Sequence, residues 1–313
     1  MKKVTIENVY FGTRPFAFHF HGDCRHSNNN QYFAPLFMET GQIWPLLLDG
    51  QDAEGVYYCH KHRERPFPIL PKGTTHPVND ELHTFTISNL KELGVGARTM
   101  DYFGIEYDVV GKDMPKPYIH NMKIHELLKY IPTIEKPYTM FFDSSDIVFT
   151  APPDSLLADF KHRPESMLCN ADGWSYPLKS PTLEWEEHTA ESRSPKSPYR
   201  YLNSGLWIAC TKFLKEKFHP LMEKYSNKWD EWDLLRTTEP SKSTKEAWDI
   251  HLASGGPYSD VDQGIFKHIY QDLYPEVVVD HSCRYFQSMA WSPWFEDRYL
   301  GGNELKLIGS EEI

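Results

Sequence analysis

Cysteine is scarce in this sequence and falls into no pattern. The 313 residues hold five, Cys24, Cys59, Cys169, Cys210 and Cys283, with no CxxC pair. An odd, scattered set excludes a disulfide scaffold and reads as reduced thiols, so a cytoplasmic location is expected. Cys59, His60 and His62 lie close together, but a second ligand pair at zinc-finger spacing is missing, so they read as an exposed loop. Long apolar runs are missing too. None approaches the roughly 20 residues of a membrane-spanning helix. The two lysines of MKKVTIENVYFGTRP are followed by no apolar core of a secretory signal. Positive charge is in deficit: 33 Lys and Arg face 44 Asp and Glu, a formal charge of −11. That balance speaks against a nucleic-acid partner and leaves room only for a local basic pocket. Internal repeats and low-complexity tracts are also absent.

What is present is globular. Hydrophobic residues make up 40% and aromatics 14% of a chain long enough to bury a full core. Residues 1–75 are irregular and rich in aromatics, His and Pro, with strand-like pieces at 16–20 and 56–59; residues 63–77 (RERPFPILPKGTTHP) read as a connector. From residue 82 the pattern becomes regular. LHTFTISN (82–89) reads as a strand, 95–107 as a helix and 108–111 as a short strand. YIHNMKIHELLKY (118–130) carries apolar residues near a helical period, and YTMFF (138–142) is an apolar strand running straight into Asp143. A helix at 155–161 and a buried strand SMLCN (166–170) follow. This alternation predicts an α/β fold whose parallel sheet is covered on both faces. Residues 175–198 are polar and read as a long surface excursion. YLNSGLWIAC (201–210) returns to strand, 211–235 to one long helix or two, 237–258 to loop, 260–270 to helix capped near Asp260 or Ser259, and 277–279 to strand.

The sharpest chemical feature is FFDSSDIVF. Asp143 and Asp146, three residues apart, interrupt two apolar segments. A buried strand would not carry unpaired carboxylates, because desolvating a charge is costly. At the carboxyl end of a parallel strand they would instead face the crevice where open α/β sheets bind ligands. Two hard oxygen donors suit Mg²⁺ or Mn²⁺ holding a nucleotide diphosphate. A solvated turn with Asp146 as a helix cap is the alternative that the same four residues allow.

FFDSSDIVFTAPPDSLLADF resembles the metal-binding segment of the glycosyltransferase domain of procollagen lysyl hydroxylases and their viral and microbial relatives. The likeness continues in order through SMLCNADGWSYP, YRYLNSGLWIAC, YSDVDQGIFKHIY and VVVDHSCRYFQSM, and spans about two thirds of the chain, 82–289. The resemblance implies a GT-A-type, Rossmann-like sandwich with a mostly parallel central sheet. It also implies Mn²⁺ or Mg²⁺ as cofactor and a UDP-sugar donor. By position, Asp143 and Asp146 correspond to metal ligands, with Ser144 and Ser145 between them near the donor. Lys123 corresponds to a helix lysine near the donor. Asp172 falls where the family faces the sugar. Asn203, Ser204 and Gly205 match a strand-end loop lining donor and acceptor. Asp260, Asp262 and Gln263 match an acidic helix start beside the transferred sugar.

The family closes its metal site with a C-terminal histidine, and after Met289 this chain has none. Near the N-terminus it has FAFHFHGD. We therefore expect a permuted element, residues 14–38 filling that space, with His21 as third ligand. His19, on the same strand face, is the rival, and Arg25 or His26 is expected near the diphosphate. The whole of 1–313 is expected as one glycosyltransferase domain, 1–75 being an extension and 82–289 the core. The Gly-rich run before the helix lysine is replaced by GKDMPKPYIHNMK, and the acidic segment after SMLCN reads Ala171-Asp172-Gly173. The implied reaction moves a hexose, glucose or galactose, to a hydroxyl acceptor: a glycan, a glycosylated lysine or another alcohol. An inactive sugar- or nucleotide-binding module and a metal-dependent nucleotidyltransferase remain the alternatives. The aromatic cluster Trp291, Trp294 and Phe295 reads as core.

Overall fold

The computed structural model describes residues 4–8, 11–19, 50–51, 57–58, 79–90, 93–114, 120–151, 153–176, 181–226, 262–288 and 305–309. His21, Arg25, His26, Ser259, Asp260, the connector 63–77, the loop 237–258 and the tail aromatics lie outside these residues.

The first regular strands are short. β1 (Val4–Asn8), β2 (Ala17–His19), β3 (Gly50–Gln51) and β4 (Tyr57–Tyr58) precede the core. The core opens with β5 (Leu82–Ile87) and α1 (Val95–Phe103), which stops where Gly104 turns left-handed at φ 67. Helix was expected to residue 107; only a residue without a Cβ takes that turn cheaply, so the helix ends earlier. Then come β6 (Asp108–Val110), α2 (His120–Tyr130), β7 (Tyr138–Phe142), β8 (Ile147–Phe149), α3 (Asp154–Phe160) and β9 (Met167–Asp172).

The polar stretch read as a surface excursion folds instead as α4 (Leu183–Arg193), with Glu186, Thr189 and Ala190 buried. Its period was hidden because a carboxylate occupies an inward position. β10 (Tyr201–Cys210) leads into a turn of helix Thr211–Phe213, a π-helical segment Leu214–Phe218 and α5 (His219–Ser226). α6 (Asp262–Leu273), β11 (Val277–Val279), β12 (Phe286–Ser288) and β13 (Leu305–Gly309) complete the described elements.

Six strands form the main sheet in the order β11-β9-β10-β7-β5-β6. β10 pairs antiparallel with both neighbours, while the other pairings are parallel. The α/β expectation of a mostly parallel sheet holds, in keeping with a GT-A-type sandwich. Period two explains why both faces are covered. Phe141 and Trp207 point to one side, onto Ile124, Leu127, Phe266 and Ile269 of α2 and α6. Met140, Phe142, Leu206 and Ile208 point to the other, onto Ala97 and Met100 of α1 and Leu156 and Phe160 of α3.

That second side is also covered by a smaller sheet, β12-β2-β8. The N-terminal strand β2 lies between β8, antiparallel, and β12, parallel. The DHSCRYFQ segment supplies the clamp. Asp280 accepts hydrogen bonds from the backbone N–H of Arg284 (3.0 Å), Tyr285 (2.6 Å) and Phe286 (2.9 Å). Burial pushes this carboxyl up while those amides hold it down. Asn8 Nδ2 donates to Gln287 Oε1 at 3.1 Å, and Thr13 Oγ1 to the Cys283 carbonyl at 2.9 Å. The N-terminal segment is thus sewn to β12, and β1 pairs with β13. Among the described residues no helix is long and apolar enough to cross a membrane.

Candidate functional site

Asp143 sits where β7 ends, and Asp146 where β8 begins. Their loop is held from two sides. The Asp143 N–H donates to the Gly205 carbonyl at 2.8 Å, and the Gly96 N–H of α1 to the Ser144 carbonyl at 2.9 Å. The approach of α1 leaves no room for side chains: a Cβ on Gly94 would lie 2.4 Å from Ser145 Cα, and one on Gly96 2.9 Å from the Asp143 carbonyl oxygen. Ser144 is buried and Ser145 exposed.

β2 brings His19 opposite Ile147, beside Asp146. His19 Nε2 stands 3.5 Å from Asp146 Oδ1. One donor atom from each of His19, Asp143 and Asp146 lies within 4.8 Å of the others, so the three could hold one metal ion. Gly205 makes the convergence possible. A Cβ there would fall 2.5 Å from His19 Cε1 and 2.7 Å from Asp143 Oδ2. Two carboxylate oxygens and an imidazole nitrogen suit Mn²⁺ or Mg²⁺ with water or substrate oxygens completing the shell.

Lys123, on α2 and only 3% exposed, balances the acids. Its Nζ lies 3.1 Å from Asp143 Oδ1, 2.8 Å from Asp262 Oδ2 and 3.4 Å from the Ser204 carbonyl, over the ring of Phe141. With Oδ1 taken by Lys123, Asp143 Oδ2 is the atom turned toward His19. Burial pushes the Asp143 carboxyl up; Lys123 opposes this, Asp146 and Asp262 add to it, and His19 opposes it. Asp143 keeps 32% of its side-chain surface open, which limits the size of the shift.

The neighbouring strand ends supply the rest. Ser204 Oγ donates to Asp262 Oδ2 at 2.6 Å. Asn203 Nδ2 donates to Asp172 Oδ2 at 3.0 Å, and its Oδ1 accepts the Gly205 N–H at 2.8 Å. Asp262 lies in the first turn of α6, where the helix dipole favours an anion. Gln263 Nε2 donates to the Tyr176 carbonyl at 3.0 Å. So Asp143, Asp146, Lys123, Ser204, Gly205 and Asp262 converge, with Asn203 and Asp172 adjoining. His19 is the histidine that the described residues bring to the carboxylates.

Three groups escaped the sequence reading. Gly94 and Gly96 gave a usable signal, small residues spaced along a helix start. Asn170 did as well, being polar in an apolar strand and two residues from Asp172. The third, Glu186 and Lys267, gave none, since their pairing joins residues far apart in the chain.

No protein-family model matches the chain, and no curated protein matches it. Among solved structures, mouse xyloside xylosyltransferase 1 in its apo form is similar over 69% of this chain and 89% of that one, at 10% identity and a TM-score of 0.31.

Proposed function

We propose that this chain is a divalent-metal-dependent glycosyltransferase that moves a hexose, glucose or galactose, from a UDP-sugar to a hydroxyl acceptor such as a glycan or a glycosylated lysine. The observation that carries this reading is the junction of His19, Asp143 and Asp146 with buried Lys123 at the carboxyl end of an inner strand. The five ordered sequence blocks support it, since they hold Asp143, Asp146, Ser204, Gly205 and Asp262, which meet there. The reading treats 1–313 as a single domain whose N-terminal strand fills the place of a C-terminal metal element.

In this reading Asp143 and Asp146 hold the ion together with a histidine. His19 is in reach, while His21 lies outside the described residues. When bound, the ion neutralises charge on the departing diphosphate. Lys123 adds a fixed positive charge beside the same carboxylate, and Ser204, Gly205, Gln263, Ser144, Ser145 and Arg25 line the donor. Asp262, Asp172 and Asp260 orient sugar hydroxyls and favour positive charge at the anomeric carbon. Asn203 keeps the Asp172 carboxylate turned toward the strand end. The bond from anomeric carbon to phosphate oxygen breaks, a bond to the acceptor oxygen forms, and the acceptor proton passes to Asp172 or to the departing phosphate.

The test is UDP release from a panel of UDP-sugars with and without Mn²⁺, using the wild type, Asp143→Asn and Asp146→Asn. Release only with metal, falling about 100-fold or more in either variant, is the expected result. Binding of UDP-sugar without any release would replace the reading with a binding module. Pyrophosphate release from a nucleoside triphosphate would replace it with a nucleotidyltransferase.

A further inference from the structure

Asn170 is fully buried on β9 and places its amide 3.2 Å, Nδ2 to Nδ1, from the ring of His19. In this orientation Nδ2 donates to His19 Nδ1. A neutral imidazole accepting there carries its proton on Nε2, the atom that faces Asp146. A nitrogen with a proton cannot ligate a metal.

The amide can also sit the other way round. Half a turn about the last side-chain bond exchanges oxygen and nitrogen at almost the same positions. Oδ1 then accepts from a proton on His19 Nδ1, and the lone pair moves to Nε2, the atom 3.5 Å from Asp146 Oδ1. We propose that Asn170 is the positioning residue that sets the tautomer of His19, presenting Oδ1 to Nδ1–H so that Nε2 ligates the divalent cation. This rests on the metal site proposed above. Metal-bound histidines commonly donate their second ring N–H to an acceptor that fixes ring and tautomer, and loss of that acceptor costs about 10–100-fold in affinity. Asn170 is well placed for the task. It lies opposite Asn203 on the paired strand β10 and two residues from Asp172 on the same face of β9, inside the packed sheet, so its reach to His19 is set by backbone pairing.

The experiment measures Mn²⁺ affinity by the electron paramagnetic resonance signal of the free ion. It compares the full-length wild type, Asn170→Leu and Asn170→Asp, each with a denaturant curve recorded without metal. Asn170→Leu is expected to bind about 10–100-fold more weakly. Asn170→Asp keeps an acceptor and is expected to bind at least as well as the wild type, although a carboxylate there should lower metal-free stability. A purely structural role predicts the opposite ranking, with the buried charge doing the greater harm. Because a new carboxylate can attract a cation by charge alone, the wild type carries a second readout. In ¹⁵N spectra of histidine-labelled protein with Zn²⁺, His19 should coordinate through Nε2 and hold its proton on Nδ1. Coordination through Nδ1, or a folded Asn170→Leu variant that binds like the wild type, overturns the proposal. If Asn170→Leu does not fold, the Asn170→Asp affinity and the spectra decide. A wild type with no Mn²⁺ affinity removes the metal site itself, whereas a wild type that binds through Nδ1 removes only the role of Asn170.

Discussion

Gly205 shows how a single missing methyl group can decide a site. Its backbone already carries two duties, accepting the Asp143 N–H and donating to Asn203 Oδ1. The space a Cβ would need is held by His19 and by Asp143 Oδ2. An imidazole in a paired strand and a carboxylate bonded to Lys123 have little freedom to retreat. Gly205→Ala should therefore cost about 1–3 kcal/mol of stability through overpacking. It should also drive the two donor atoms apart and weaken Mn²⁺ binding at least about tenfold, in line with the loss expected when ligand geometry is disturbed. Denaturant unfolding and metal titration on the same sample check both parts. Normal Mn²⁺ affinity in a stable Gly205→Ala protein would mean that His19 and Asp143 do not serve one ion.

At the scale of elements, one buried ion pair joins the segments that carry the site. Glu186 of α4 and Lys267 of α6 are both fully buried, with Nζ 3.0 Å from Oε2. Glu186 also accepts from the Leu202 N–H of β10 at 2.8 Å and from Thr182 at 3.2 Å, and Lys267 donates to Ser175 at 2.8 Å. Burial pushes the Glu186 carboxyl up and Lys267 opposes it. Lys267→Met leaves that carboxylate uncompensated and should cost about 3–5 kcal/mol, whereas Lys267→Met with Glu186→Leu should recover much of the loss. Urea unfolding of the single and double variants measures this, and a double variant no better than the single would show that the pair is not the unit. The same pair explains what the sequence could and could not reveal. YTMFF and VVV are strands because continuous apolar runs fit a sheet buried on both faces, and Asp143 announces itself by ending one of them. α4 stays hidden because its inward Glu186 reads as surface until Lys267, on a distant helix, is placed beside it. The reversal of β10 and the departure of β8 to a second sheet are equally silent, since neither changes an apolar pattern. His19 and His21 are alike by period, and the pairing of β2 with β8 brings His19 beside Asp146.

At the scale of the whole molecule, two charges report on how the sheets are assembled. His281 follows the Asp280 clamp, donates from Nδ1 to the Tyr199 carbonyl at 2.7 Å, and lies buried beside the segment that leads into β10. Burial pushes its pKa down from 6.5 to about 4, with the nearby Arg193 and Arg200 adding to the effect. Between those values the unfolded chain binds more protons than the folded one. Stability therefore rises with pH across the window and is lost as pH falls from 6.5 toward 4, by about 3 kcal/mol at most. Between pH 7 and pH 4, His281→Gln should lose that much less stability than the wild type; equal losses in denaturant midpoints would discard the assignment. The second report is the cation. Asp143 ends a strand of the large sheet, Asp146 opens a strand of the small one, and His19 rides on the N-terminal strand held between β8 and β12. An ion bound by all three ties both sheets and the chain's first segment together, so binding must stabilise the fold as a unit. At a Mn²⁺ concentration 100 times its Kd the gain is about 2.7 kcal/mol. His19→Ala should abolish this gain, as should Asp146→Asn, while His21→Ala should keep most of it. Thermal unfolding of the three variants with and without Mn²⁺ separates the two histidines. Loss of the gain in His21→Ala alone would move the third ligand two residues along the chain and detach β2's end from the metal.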